Sequence, residues 1–179
     1  MPRYVAFLRA INVGGHVVKM EQLRRLFEAL RFSNVETVIA SGNVVFDSIS
    51  RSTKTLERKI EGYLQETLGY EVATFIRSPS ELADIAQYKP FVDAELNAEG
   101  NALYIAFLAD KPGDESKQKL LSFTTEFDDF HVHGREVYWW CRKKMSESEF
   151  SGALLEKTLG MPATLRNSTT VKKIASKYT

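Results

Sequence analysis

Val35-Glu36-Thr37-Val38-Ile39-Ala40, Ser41-Gly42-Asn43 and Val44-Val45-Phe46-Asp47 make up two short strand-forming runs joined by a polar turn. β-Branched and aromatic residues suit a pleated surface, and a Gly/Asn turn between two such runs is hairpin chemistry. The hairpin sits between two helical patterns. Upstream, Met20, Leu23, Leu26, Phe27 and Leu30 recur at three- and four-residue spacing over Lys19–Leu30 and form one apolar stripe. Downstream, Leu56, Ile60, Leu64 and Leu68 mark a second helix, and Gly69 follows where a helix end favours glycine. Outside these lie Arg3–Leu8 and Glu71–Arg77, both strand-like. Arg3–Leu8 is apolar at nearly every position, which predicts burial on both faces. The order is β-α-β-β-α-β, the ferredoxin-like arrangement.

The same order returns. Ala102–Ala109 reads as a strand, and Pro112-Gly113-Asp114 turns into a helix bearing Leu120, Leu121 and Phe123. Phe127–His133 and Glu136–Cys141 are strands joined at Gly134-Arg135. Ser146-x-x-Glu149 has capping-box spacing and predicts a helix with Phe150, Leu154 and Leu155 that stops at Gly160. Ala163–Arg166 is a short last strand, and a helix over Thr169–Tyr178 closes the chain. Between the halves, Ser78-Pro79-Ser80-Glu81 carries a second capping box, and acidic, turn-rich Lys89–Asn101 separates the units. The expectation is an α+β protein of two tandem ferredoxin-like units with an added C-terminal helix. The units would span 1–78 and 102–179, with a connecting helix and loop over 79–101. No residue-level repeat between the halves is evident.

Composition narrows the function classes. A chain of 179 residues, 44% hydrophobic, can build its core without staples. One cysteine, Cys141, excludes an internal disulfide. No apolar run approaches the ~20 residues that span a bilayer, and Met1-Pro2-Arg3-Tyr4 lacks signal-peptide regions. The expected location is therefore the cytoplasm, away from membranes. A net charge of +1 argues against nucleic acid as the partner of the whole chain. The basic surplus is confined to the segment from Arg142 onward, which holds eight Lys or Arg against three Glu. That face could attract an anion or nucleic acid, or simply be a solvated helix surface.

Chemistry-bearing motifs are sparse. No metal-binding, nucleophile-elbow or phosphate-loop motif is present. His131 and His133 share a strand face but lack a third ligand at metal-site spacing, so no metal and no cofactor is expected. His16 reads first as a loop-surface histidine, and Cys141, after Trp139-Trp140, as a core residue. Arg9-Ala10-Ile11-Asn12-Val13-Gly14-Gly15 is different. An arginine and an asparagine leave a buried strand and meet two glycines before a helix. Glycine lets backbone approach a ligand, and arginine clamps carboxylate or phosphate. The same residues could also just shape a turn.

Tyr4-Val5-Ala6-Phe7-Leu8-Arg9-Ala10-Ile11-Asn12-Val13-Gly14-Gly15, with Met20, Leu23 and Ser41-Gly42-Asn43-Val44-Val45-Phe46, resembles a bacterial family catalogued as domain of unknown function 1697. Arg166-Asn167-x-x-Thr170-Val171 resembles that family's closing motif. The family pattern usually has Trp where Ser168 stands here, and often Gly where Ala10 stands. The resemblance implies ferredoxin-like units in a cytoplasmic protein and supplies no activity. It focuses a candidate ligand site on Arg9, Asn12, Gly14, Gly15, Ser41 and Asn43, with Arg166, Asn167 and Thr170 from the C-terminal segment. The expected ligand is a small anionic metabolite or nucleotide. Nucleic-acid binding through the basic C-terminal face, or a protein-interaction module, is the alternative, and the chain would act as a monomer or homodimer. No general base or nucleophile stands out, so a catalytic role stays open.

Overall fold

Strand β1 (Arg3–Leu8) is the centre from which the first unit is built. It pairs antiparallel with β3 (Asn43–Asp47) on one side and β4 (Thr74–Arg77) on the other. Strand β2 (Ser33–Thr37) joins β3, so the order is β2-β3-β1-β4. Helices α1 (Met20–Ala29) and α2 (Thr53–Leu68) cover one face. There Tyr4, Ala6, Leu8, Val44, Phe46 and Ile76 share a core with Leu23 and Phe27 of α1 and Leu56, Ile60 and Leu64 of α2. Val5, Phe7, Val45 and Phe75, on the opposite face, are buried as well, as the unbroken apolar run of β1 predicts. This computed structural model describes residues 1–12, 15–39, 42–91, 101–142 and 148–178.

Two features of β2 depart from the sequence pattern. It starts at Ser33 rather than Val35, because the register slips by one residue between Ser33 and Glu36. Asn34 takes a left-handed φ of 49° at that bulge, and its Nδ2 donates to Asp47 Oδ2 at 2.8 Å. The strand also ends at Thr37 instead of Ala40, because Ile39 turns left-handed (φ 48°). The free edge of β4 is closed by α2. Glu61 Oε2 accepts the Thr74 N–H at 3.2 Å, and Glu57 Oε2 accepts that of Ile76 at 3.0 Å. Unpaired edge donors invite pairing with another chain, and these carboxylates occupy them.

The second unit repeats the plan with β5 (Ala102–Leu108), α4 (Asp114–Leu121), β6 (Asp128–His133), β7 (Glu136–Cys141), α5 (Gly152–Leu159) and β8 (Ala163–Asn167). Its order is β6-β7-β5-β8, all antiparallel. Helix α3 (Pro79–Gln87) precedes it and α6 (Ser168–Tyr178) follows. The α3 capping box forms as its sequence predicts: Ser78 Oγ accepts from Glu81 N–H at 3.1 Å, and Glu81 Oε1 from Ser78 N–H at 3.2 Å. Contacts divide the chain into Met1–Leu82 with Tyr178, and Ala83–Lys177.

Helix α5 corrects one expectation. It opens at Gly152, where Ser151 Oγ accepts the Leu154 N–H at 3.2 Å. Ser146 of the expected box lies outside the described residues. Phe150, expected inside the helix, precedes it and packs edge-on against Trp139, with ring centroids 5.3 Å apart. Trp139 is buried, and its Nε1 donates to Asp128 Oδ1 at 2.9 Å. Tyr138 and Trp140, on the other face of β7, are buried too, so neither offers a ring for stacking on a base.

Candidate functional site

The candidate loop leaves β1 between two neighbours. Leu8 N–H donates to the Gly42 carbonyl at 2.8 Å, and Arg9 N–H to the Ala73 carbonyl at 2.9 Å. The β1–α1 loop, the β2–β3 turn and the α2–β4 connection therefore meet at one end of the first sheet. Ala10 is left-handed (φ 53°), a conformation that crowds its Cβ. Ile11 is buried, and its carbonyl accepts from the Tyr70 hydroxyl at 2.9 Å. Asn12 Oδ1 accepts the Val18 N–H at 2.6 Å, tying the loop's start to its end. Gly15 has a φ of 84°, where a side chain would be strained. The exposed His16 ring stacks on Tyr70 at 3.8 Å between centroids. Burial raises the Tyr70 phenol above its ordinary pKa, so it stays a donor at neutral pH.

Asn43 is buried, and its Nδ2 donates to the Val38 carbonyl at 3.1 Å and the Ile39 carbonyl at 2.9 Å. Its amide shapes the turn that contains left-handed Ile39. Arg9 is half-buried at the mouth of the same region. Gly14 and Ser41 lie outside the described residues. Arg9, Asn12, Gly15 and Asn43 are thus brought to one end of one sheet. Tyr70 and Ala73 join them there with no sequence motif to announce them.

Arg166, Asn167 and Thr170 belong to the second unit. Arg166 Nη1 donates to Thr164 Oγ1 at 2.7 Å and to the Leu165 carbonyl at 2.9 Å. Burial lowers its pKa to about 10, which leaves it cationic at neutral pH. Asn167 Oδ1 accepts the Thr169 N–H at 2.9 Å, an N-cap for α6, and half-buried Thr170 follows in the first turn. On α6, Val171, Ile174 and Ala175 are buried, while Lys172, Lys173 and Lys177 are exposed.

The profile of a family described as a protein of unknown function (DUF1697) matches residues 1–138. The chain belongs to that family. The matched segment includes every strand and loop of the first unit but stops short of the Arg166-Asn167-x-x-Thr170-Val171 motif. The conserved bacterial protein SP0830 from Streptococcus pneumoniae has a similar solved structure, with a TM-score of 0.70 at 23% identity. The similarity covers 99% of each chain, so the two proteins share a fold along their whole length. No curated protein matches the chain. Among the described residues, no helix is long and apolar enough to cross a membrane, and no three His, Cys, Asp or Glu converge as metal ligands. The His131–His133 pair is held instead by Tyr88, whose hydroxyl lies 2.6 Å from His131 Nε2 and whose ring stacks on His133 at 3.9 Å.

Proposed function

We propose that the strand-end loops of the first unit bind a small anionic metabolite or nucleotide, with Arg9 supplying the positive charge. The observation that carries this reading is the pairing of two strained residues. Ala10 and Ile39 are both left-handed without being glycine, and their loops are tied together through Leu8 and Gly42. A β-branched residue in that region is rare, and each such residue costs on the order of 1–3 kcal/mol. Strain of this kind persists where the surrounding bonds over-determine a shape, and binding sites are where such shapes are used. Asn12 and Asn43 hold the two loops in place, and Arg9, at their junction, carries a planar guanidinium whose geometry suits carboxylate or phosphate. An arginine stays protonated and donates no proton, so the site is one for binding and charge neutralisation.

The test is thermal stabilisation of the wild type, Arg9→Ala and Arg9→Lys by nucleotides, phosphorylated metabolites and small carboxylates. A ligand at a hundred times its Kd adds about 2.7 kcal/mol to the wild type. The expected outcome is a compound that stabilises the wild type, stabilises Arg9→Lys less and leaves Arg9→Ala unmoved. Should no compound shift the wild type while Arg9→Ala melts far lower, Arg9 is a structural residue and the proposal fails.

A further inference from the structure

The second unit contains a cavity of about 290 Å³ that the strand-end loops do not involve. It lies between the end of α4, the start of β6 and the start of α5. Phe123, Phe150 and Leu154 form its apolar wall, and the two phenyl rings are 5.7 Å apart. Its polar edge is made of Ser122, Thr125, Asp128 and Glu149, and its only charged groups among the described residues are the two carboxylates. Asp128 is only 3% exposed. Its Oδ1 accepts from the Trp139 indole at 2.9 Å and its Oδ2 from the Ser148 hydroxyl at 2.8 Å. Both donors are neutral. No Lys, Arg or His among the described residues forms an ion pair with Asp128 or Glu149. A carboxylate in an apolar setting is costly unless a counter-charge neutralises it.

We propose that this cavity binds a small organic ammonium ion carrying an apolar body about the size of a phenylethyl group. The ammonium would sit between Asp128 and Glu149, each of which has acceptor lone pairs to spare. The apolar body would lie against Phe123, Phe150 and Leu154, and the faces of the two phenyl rings favour a cation nearby. A bare divalent metal ion suits the site poorly. Such ions need about six oxygen ligands, and most of this lining is carbon. The volume falls at the small end of ligand pockets, which fits a compact amine rather than a nucleotide.

Isothermal titration of the full chain tests this, with phenethylamine as the probe and phenethyl alcohol and 3-phenylpropionate as controls. The ammonium should bind about tenfold tighter than the alcohol, a difference of roughly 1.4 kcal/mol, and the carboxylate should not bind. Glu149→Gln, at an exposed position, should weaken the amine about fivefold, in the range of a rim charge. Leu154→Trp should fill the cavity and remove binding while the melting transition persists. Asp128→Asn should also weaken the amine, and Glu149→Gln carries the test if that variant fails to fold. Arg9→Ala should leave this affinity unchanged, which separates the two sites. Equal binding of amine and alcohol, binding that survives Leu154→Trp, or no heat from the amine at millimolar concentration would each overturn the proposal.

Discussion

In the first sheet Val5 pairs with Arg77 and Leu8 with Thr74; in the second, Ile105 pairs with Arg166 and Leu108 with Ala163. Superposing those registers lays Tyr4-Val5-Ala6-Phe7-Leu8 on Tyr104-Ile105-Ala106-Phe107-Leu108. Arg77 and Arg166 then occupy one position, and each donates from Nη1 to the carbonyl of the preceding residue at 2.9 Å. The second helix of each unit starts on a serine cap, Ser52 or Ser151, and ends on a left-handed glycine, Gly69 or Gly160. Glu61 and Glu156 accept the first edge N–H of β4 and β8, from Thr74 and Ala163. The loops do not follow suit. Among the described residues, all four left-handed non-glycine residues (Ala10, Arg31, Asn34 and Ile39) lie in the first unit. The second unit turns its hairpin with Gly134-Arg135 alone. Core, caps and edge protection are what the fold demands of each copy. Strained loops are not demanded by the fold, and two of these four residues, Ala10 and Ile39, lie at the proposed anion site, whereas Asn34 sits at the start of β2 beside Asp47.

The core should answer symmetrically. Phe7 and Phe107 sit at equivalent positions and are both fully buried. Phe7→Ala and Phe107→Ala should each cost about 3–5 kcal/mol in urea unfolding followed by circular dichroism. A cost confined to one of them would break the equivalence. The caps come next. Ser52→Ala and Ser151→Ala should each lose about 1 kcal/mol by the same measurement. The loops should answer asymmetrically. Ala10→Gly removes the Cβ crowding at φ 53° and should raise the melting temperature, by at most about 1 kcal/mol of stability. Destabilisation instead would mean that Ala10 is not strained and that the contrast between the units is weaker than drawn.

The smallest effect is pH-dependent and belongs to the second unit. His131 is held below its ordinary pKa by burial, then by the nearby charges of His133 and Lys117, with Asp129 opposing them. The folded state therefore takes up its proton later than the unfolded chain does. Stability is full above the unfolded value near 6.5 and falls as pH drops through it toward the lower folded value. His131→Gln should flatten that slope in thermal melts between pH 7 and pH 5. An unchanged slope would assign the pH dependence elsewhere.

Much of this architecture is legible in the sequence because its causes are local. Apolar spacing fixed α1 and α2, Gly69 and Gly160 marked helix ends, and Ser78 with Glu81 announced α3. The unread parts depend on residues that only the sheet brings together. Asn34 makes a bulge because Asp47 waits across the strand, and Tyr70 reaches Ile11 and His16 from the far side of α2. The cavity beside Asp128 needs α4, β6 and α5 at once. The near-repeat of Tyr4–Leu8 in Tyr104–Leu108, which differ only at Val5 and Ile105, emerges from the register and corrects the reading that no residue-level repeat links the halves. The segments around it differ in length, with 16 residues in α2 and 8 in α5, so no constant offset aligns the halves. Of the candidate site, Arg9, Asn12 and Asn43 could be named from sequence. Only the backbone shows that Asn12 and Asn43 hold loops in shape.

Both tryptophans of the chain, Trp139 and Trp140, stand side by side in β7. The first unit holds only tyrosine and phenylalanine as its aromatic chromophores. Selectively excited indole emission is therefore a one-sided window, reporting the second unit and blind to the first. Set against the far-ultraviolet signal, which sums both, it would show whether the two copies melt together or one after the other without any label being added.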